Sequence, residues 1–349
     1  MKTKKRILVA PLDWGIGHAT RCIPIIKELI NNDFDVIIAA DGRPMHLLKN
    51  EFPSLEMIRF SGYNIKYSTY LPMSVSMLLQ IPKILWNIKK ENHVLNNIIE
   101  NYKIDGVISD NRYGLYTNKV PCLFITHQLA IQSPYFTEDI QNFNYKYINR
   151  FDACWIMDDQ QNNIAGKLSI PEKLPNNTIY IGAHSRFTYR KIEKKYDFLA
   201  IVSGPEPQRT ILERGLIKAL KERKEKSIII LGKPELNNTS QIGNLTIKSH
   251  LKSEDLNTII LQSNLIICRP GYSTIMDLQK LKSKAFFIPT PGQTEQEYLA
   301  KRLSQKNIFY YQNQNDFNFE KGVVQGAKYT GFVKSKEKKI NWEELFSLF

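Results

Sequence analysis

The chain has 349 residues, 42% of them hydrophobic and 23% charged, with a formal net charge of +14. That balance excludes a disordered or collagen-like polymer and supplies apolar material for two domains of about 150 residues each. The charge suits phosphorylated ligands or anionic lipid, and the absence of a nucleic-acid motif or a dense arginine run argues against nucleic acid as a partner.

Taken in chain order, short apolar runs alternate with amphipathic ones. RILVAP (6–11) reads as a strand. Ile23, Ile26, Leu29 and Ile30 follow at helical spacing. DVIIAA (35–40) is the next strand, and Ile81, Leu85 and Ile88 mark another helix. GVISD (106–110), CLFITH (122–127) and ACWIMD (153–158) complete the set. Strands this rich in Val, Ile and Leu are buried on both faces. Alternation of this kind implies a parallel, doubly wound sheet.

A basic stretch, YIGAHSRFTYRKIEKKY (180–196), then interrupts the pattern, which restarts with DFLAIVSG, KSIIILG, LTIKSH, LIICRPG and AFFIPTP. The expected fold class is therefore α/β, with two tandem Rossmann-like doubly wound domains, 1–190 and 191–349, and a cleft between them. The last piece, NWEELFSLF, suits a cap on either domain. The basic MKTKKR start meets a polar turn too early for a secretion signal, and no apolar run reaches the ~20 residues of a membrane-spanning helix. The four cysteines, Cys22, Cys122, Cys154 and Cys268, form no CxxC pair and read as buried reduced thiols of a cytoplasmic protein.

Ligands of such sheets bind at the carboxyl ends of the strands. After RILVAP stands the turn LDWGIGH. Gly15 and Gly17 permit positive φ and close approach to the backbone. His18 falls at a helix start, where the dipole favours the neutral imidazole that a general base requires. Gly15, Gly17 and Thr20 lack the third glycine of a dinucleotide fingerprint. Asp110 and His127 end their strands and point to the same region. Asp110 is suited to orient His18 or to act as the base itself, and strand-end capping is its plain structural role.

In the second half, LIICRPGYSTIMD ends a strand and opens a helix. Arg269, Gly271, Ser273 and Thr274 sit where helix N–H groups, hydroxyls and a guanidinium converge on phosphate oxygens. Asp277 lies one turn in, and Glu295 and Gln296 follow the next strand. Ser273 and Thr274 equally suit a helix N-cap and Asp277 a capping box. Ser203, Gly204 and Gln208 lie in a proline-stiffened loop after DFLAIV. His250 and Leu251 follow LTIKS. Asp33 and Asp35 precede a strand and read as a loop, and no cluster has metal-ligand spacing, so no metal is expected.

GIGHATR resembles the GxGH turn of inverting glycosyltransferases of the GT-B fold, in particular the group of the peptidoglycan N-acetylglucosaminyltransferase. The stretch from Arg269 to Gln296 is similar to the donor-binding signature of the same enzymes, with Asp277 where they more often carry Glu. A weaker resemblance exists to UDP-sugar hydrolases of nonulosonic acid synthesis. The resemblance implies a nucleotide-sugar donor, UDP-linked, as substrate and no cofactor. It implies His18, with Asp110, as base; Gly15, Gly17 and His127 on the acceptor side; and Ser203, Gly204, Gln208, Arg269, Gly271, Ser273, Thr274, Asp277, Glu295 and Gln296 on the donor. The acceptor is not named by it. The stretch from Tyr70 to Glu91, with Lys83, Lys89, Lys90 and Trp86, suits either a core-packed helix or a segment lying on the inner face of a membrane next to a lipid-linked acceptor. A hydrolase and a binding protein that has lost catalysis are the alternatives.

Overall fold

The computed structural model describes residues 4–63, 79–131, 137–333 and 340–349. The chain forms two compact units, Met1–His184 with Glu337–Phe349, and Ser185–Lys336.

The first unit is built on a seven-stranded sheet with the order β3-β2-β1-β4-β5-β6-β7. Its strands are β1 (Arg6–Pro11), β2 (Asp35–Ala40), β3 (Glu56–Arg59), β4 (Gly106–Asp110), β5 (Cys122–Thr126), β6 (Ala153–Ile156) and β7 (Thr178–Tyr180). Every pairing is parallel. The central strands are fully buried, as their unbroken apolar runs require. Helices α1 (Ile16–Asn31), α2 (Gly42–Glu51), α3 (Ile81–Tyr102) and α4 (Thr137–Ile148) connect them. From β1 the chain winds outward to β3, then returns to β4 on the other side. The β1/β4 boundary is thus the switch point where a crevice opens at the carboxyl ends of the strands.

The second unit repeats the plan with the order β10-β11-β9-β8-β12-β13-β14. Strands β8 (Tyr196–Ile201), β9 (Ser227–Ile230), β11 (Leu245–Lys248), β12 (Ser263–Cys268), β13 (Ala285–Phe287) and β14 (Tyr310–Tyr311) are parallel. An added antiparallel edge, β10 (Thr239–Ile242), pairs with β11. The helices are α5 (Gln208–Leu220), α6 (Ser253–Leu261), α7 (Tyr272–Leu281), α8 (Thr294–Gln305) and α9 (Phe319–Gly326). Its switch point lies between β8 and β12.

The division of the chain differs from the sequence expectation in two places. The boundary falls at His184–Ser185, and the C-terminal residues join the first unit instead of completing the second. The reason is aromatic packing around the short helix α10 (Trp342–Phe346). Phe346 packs edge-on to Phe34, 5.6 Å between centroids, and against Trp155 at 5.9 Å. Phe349 fills the space beside Gly106, where a Cβ would collide with its ring, and its carbonyl accepts from Lys5 Nζ. Phe346 is buried. We expect Phe346→Ala to destabilise the first unit by about 3–5 kcal/mol, as for other buried Phe→Ala changes. Urea unfolding followed by tryptophan fluorescence checks this, since Trp155 reports on that unit.

Candidate active site

The turn after β1 places His18 in the first turn of α1. Gly15 is the N-cap with φ 92°, a left-handed conformation that favours glycine, and no side chain caps the helix. Asp110 ends β4, which pairs directly with β1, Pro11 opposite Asp110. The register therefore brings the two chain-distant residues together. His18 Nδ1 lies 3.0 Å from Asp110 Oδ1.

Between them stands Arg21, which the sequence reading left unassigned. It lies three residues after His18, on the same helix face. Its Nε donates to Asp110 Oδ2 at 2.6 Å, and its Nη2 donates to Asp110 Oδ1. Nη2 is also 2.7 Å from His18 Nδ1, and Nη1 donates to His127 Nδ1 at 2.6 Å. Cys22 Sγ completes the ring of donors around Asp110 at 3.6 Å. Asp110 and Arg21 are almost wholly buried, whereas His18 keeps 17% of its side chain exposed.

The electrostatics follow from this geometry. Burial alone would raise the Asp110 carboxyl, but the Arg21 guanidinium and His18 outweigh it and hold the group well below the usual carboxylate range. Burial and then Arg21 lower His18 below an ordinary imidazole, with Asp110 opposing both. His18 is thus neutral near pH 7. Its Nδ1 can donate to Asp110 or accept from Arg21, not both. In the first tautomer the lone pair lies on Nε2, in the second on Nδ1.

In the second unit, the loop after β8 carries Ser203 and Gly204, the latter with φ 107°. Gly271 is the N-cap of α7 and no side chain caps that helix, so the N-cap role open to Ser273 and Thr274 is not the one they take. Ser273 and Thr274 are half-buried in its first turn. An uncapped helix start at a switch point presents N–H groups to an anion.

Arg269 has partners that its motif does not announce. It is fully buried, and its Nη1 donates to the carbonyls of Ile288 and Pro289, both at 2.8 Å. Its Nη2 donates to Gln208 O at 3.1 Å and to Gln314 Oε1. The guanidinium therefore braces the ends of β12 and β13 against α5. Only its Nε, which has no partner among the described residues, points toward Gly204. Gln208 Oε1 accepts from Gln314, and Gln296 Oε1 accepts from Thr290 N at 2.8 Å. Both amides thus shape loops. Glu295 is half-buried at the start of α8.

Asp277 accepts from Ser185 Oγ at 2.5 Å and faces Arg186 Nε at 3.9 Å. Burial pushes its carboxyl up to about 6, against the opposing pull of Arg186 and Ser185. A carboxyl with a folded-state pKa above its unfolded value, about 3.9, holds more protons in the fold. Stability therefore falls as pH rises from about 4 to about 6 and is flat above. We expect Asp277→Asn to abolish this decline and to gain about 1–3 kcal/mol at pH 7 but little at pH 4. Urea unfolding at both pH values checks it.

Comparison with known proteins agrees with this fold. Residues 5–200 match the profile of glycosyl transferase family 1, and residues 208–339 that of the glycosyltransferase family 28 C-terminal domain. An uncharacterized glycosyltransferase of Methanosarcina acetivorans is 22% identical over 321 residues, which is 84% of this chain and 81% of the relative. Among solved structures, MurG of Acinetobacter baumannii superposes with a TM-score of 0.52 at 16% identity, covering 93% of this chain and 89% of that one. SnogD of Streptomyces nogalater gives 0.60 at 11% identity, with 95% and 92% covered. With two Rossmann-like units matching the GT-B fold of these structures, the chain belongs to glycosyl transferase family 1.

Proposed function

We propose that the protein transfers a sugar from a UDP-linked donor to an acceptor hydroxyl, inverting the anomeric centre without a metal ion. The observation that carries this reading is the contact of a neutral, partly exposed His18 with the buried Asp110 carboxylate at the β1/β4 switch point. In the tautomer that donates Nδ1–H to Asp110, His18 Nε2 takes the proton of the acceptor hydroxyl as it attacks. Asp110 stabilises the imidazolium that forms. The reacting carbon passes through an oxocarbenium-like state.

The leaving diphosphate takes N–H groups at the start of α7, with Ser273, Thr274 and the Ser203–Gly204 loop. Arg269 acts chiefly by holding that loop framework, and offers one N–H directly. Asp277 receives the ribose hydroxyls, exchanging its bond from Ser185 for theirs. Glu295 and the Gln296 amide meet the donor sugar.

A membrane-proximal acceptor fits the start of α3. Trp86 is 61% exposed there and Leu79 70%, flanked by exposed Lys83, Lys89 and Lys90, with Lys90 Nζ 5.3 Å from the Trp86 ring. The 70–78 part of that stretch lies outside the described residues. No described helix is long and apolar enough to cross a membrane; the contact proposed is peripheral, at the cytoplasmic face.

The test is a UDP-sugar panel with and without membrane extract, read by mass spectrometry. Transfer should require extract and survive chelation. His18→Ala should keep UDP affinity and lose about a hundred- to ten-thousandfold in turnover. Rapid donor cleavage in buffer alone would favour a hydrolase instead, and tight UDP binding without turnover a binding protein. The Lys83, Lys89 and Lys90 cluster should hold anionic vesicles at low salt and release them as salt rises, because exposed charges are screened beyond about 8–10 Å at physiological ionic strength.

A further inference from the structure

The turn that carries His18 also carries two residues that the reaction above leaves unused, Asp13 and Trp14. Asp13 Oδ1 is buried and has no hydrogen-bond partner among the described residues. A buried carboxylate oxygen without a donor costs free energy, so its retention calls for a cause. The carboxylate rests on Gly62, where a Cβ would collide with Oδ1. Glycine at 62 is what allows Asp13 to sit there at all.

The floor beneath it is braced. Arg112 Nη2 donates to Ser61 O at 2.7 Å and Nη1 to Phe60 O at 3.5 Å. Its Nε donates to Glu91 Oε1 at 2.8 Å, and Tyr63 Oη donates to Glu91 Oε2 at 2.8 Å. Tyr63 in turn meets Trp14 edge to face, 6.2 Å between centroids at 78°. A fully buried ion pair thus fixes the segment that supports both Asp13 and Trp14. Trp14 itself keeps 37% of its surface exposed, and the adjacent Gly15 faces open space.

An exposed indole beside a carboxylate dried on one side matches a pyranose. The C–H face of the ring packs on the indole, and ring hydroxyls donate to the carboxylate, whose acceptor strength rises as water is removed from it. A quaternary amine would fit less well, because such cations take several aromatic faces and the described residues of this turn offer one. We infer that Asp13 and Trp14 form a saccharide subsite, so that the hydroxyl delivered to His18 belongs to a sugar. This rests on the transfer reading, and it names the class of acceptor.

The test is a glycan array probed with the labelled full chain, with UDP affinity measured separately by calorimetry. Wild type should bind a set of glycans. Trp14→Ala and Asp13→Asn should each weaken that binding about tenfold or more, while Trp14→Phe keeps most of it. Gly62→Ala, which touches no ligand, should weaken it too by displacing the carboxylate. UDP affinity should be unchanged in all four, and urea unfolding followed by the fluorescence of Trp155, which lies in the same unit as the substitutions, should show that this unit still folds. A wild type that binds UDP but no glycan, or glycan binding that survives both Trp14→Ala and Asp13→Asn, overturns the subsite and leaves the donor reading intact. Glycan binding through these residues without UDP binding keeps the subsite and overturns the donor reading.

Discussion

The first unit's site depends on one buried interaction, the pairing of Arg21 with Asp110. A carboxylate with no exposed surface is tolerable only if its charge is matched and its lone pairs filled. Arg21 does this with two N–H groups, and the planar fork leaves another for His127. One side chain thereby ties α1 to the ends of β4 and β5. It also sets the charge environment in which His18 stays neutral. Removing either partner would leave an uncompensated buried charge, so the site and the stability of the unit are linked.

The same device recurs. Arg112 and Arg269 are both fully buried within two residues of the end of a strand, β4 and β12 respectively, and those strands border the two switch points. Arg112 gathers the carbonyls of Pro11, Phe60 and Ser61 together with Glu91. Arg269 gathers those of Ile288, Pro289 and Gln208. Loops at the carboxyl ends of parallel strands expose carbonyls that no neighbouring strand satisfies. A buried guanidinium, with five donors in one plane, satisfies several of them at once and stiffens the loop. Burial brings Arg269 down to about 10, still well above neutrality, so the brace stays charged.

The parallel strands were legible because strands buried on both faces have unbroken apolar sequences. The short edges were not. EMIR, TIY and YY carry too few residues, and the exposed TSQI of β10 has no apolar face to announce it. His18 and Asp110 could be paired from the sequence because one follows and the other ends a strand of the same sheet. Arg21 could have been found from its spacing to His18, but nothing in GHATR says whether a helix arginine points outward or in. The motif of Arg269 pointed to phosphate, and its bonds to the carbonyls of Ile288, Pro289 and Gln208, readable only in three dimensions, add a bracing role. The C-terminal helix went unplaced because its partners, Phe34 and Trp155, are distant in the chain.

The central claim is that Asp110 holds His18 in the tautomer that leaves Nε2 bare. Long-range ¹H–¹⁵N correlation spectra of the histidine rings, with His18 assigned by its Asn variant, measure this directly. The account predicts a neutral ring at pH 7 with the proton on Nδ1. A neutral ring protonated on Nε2, with Nδ1 accepting from Arg21, would contradict it, because that ring could only donate to the acceptor hydroxyl.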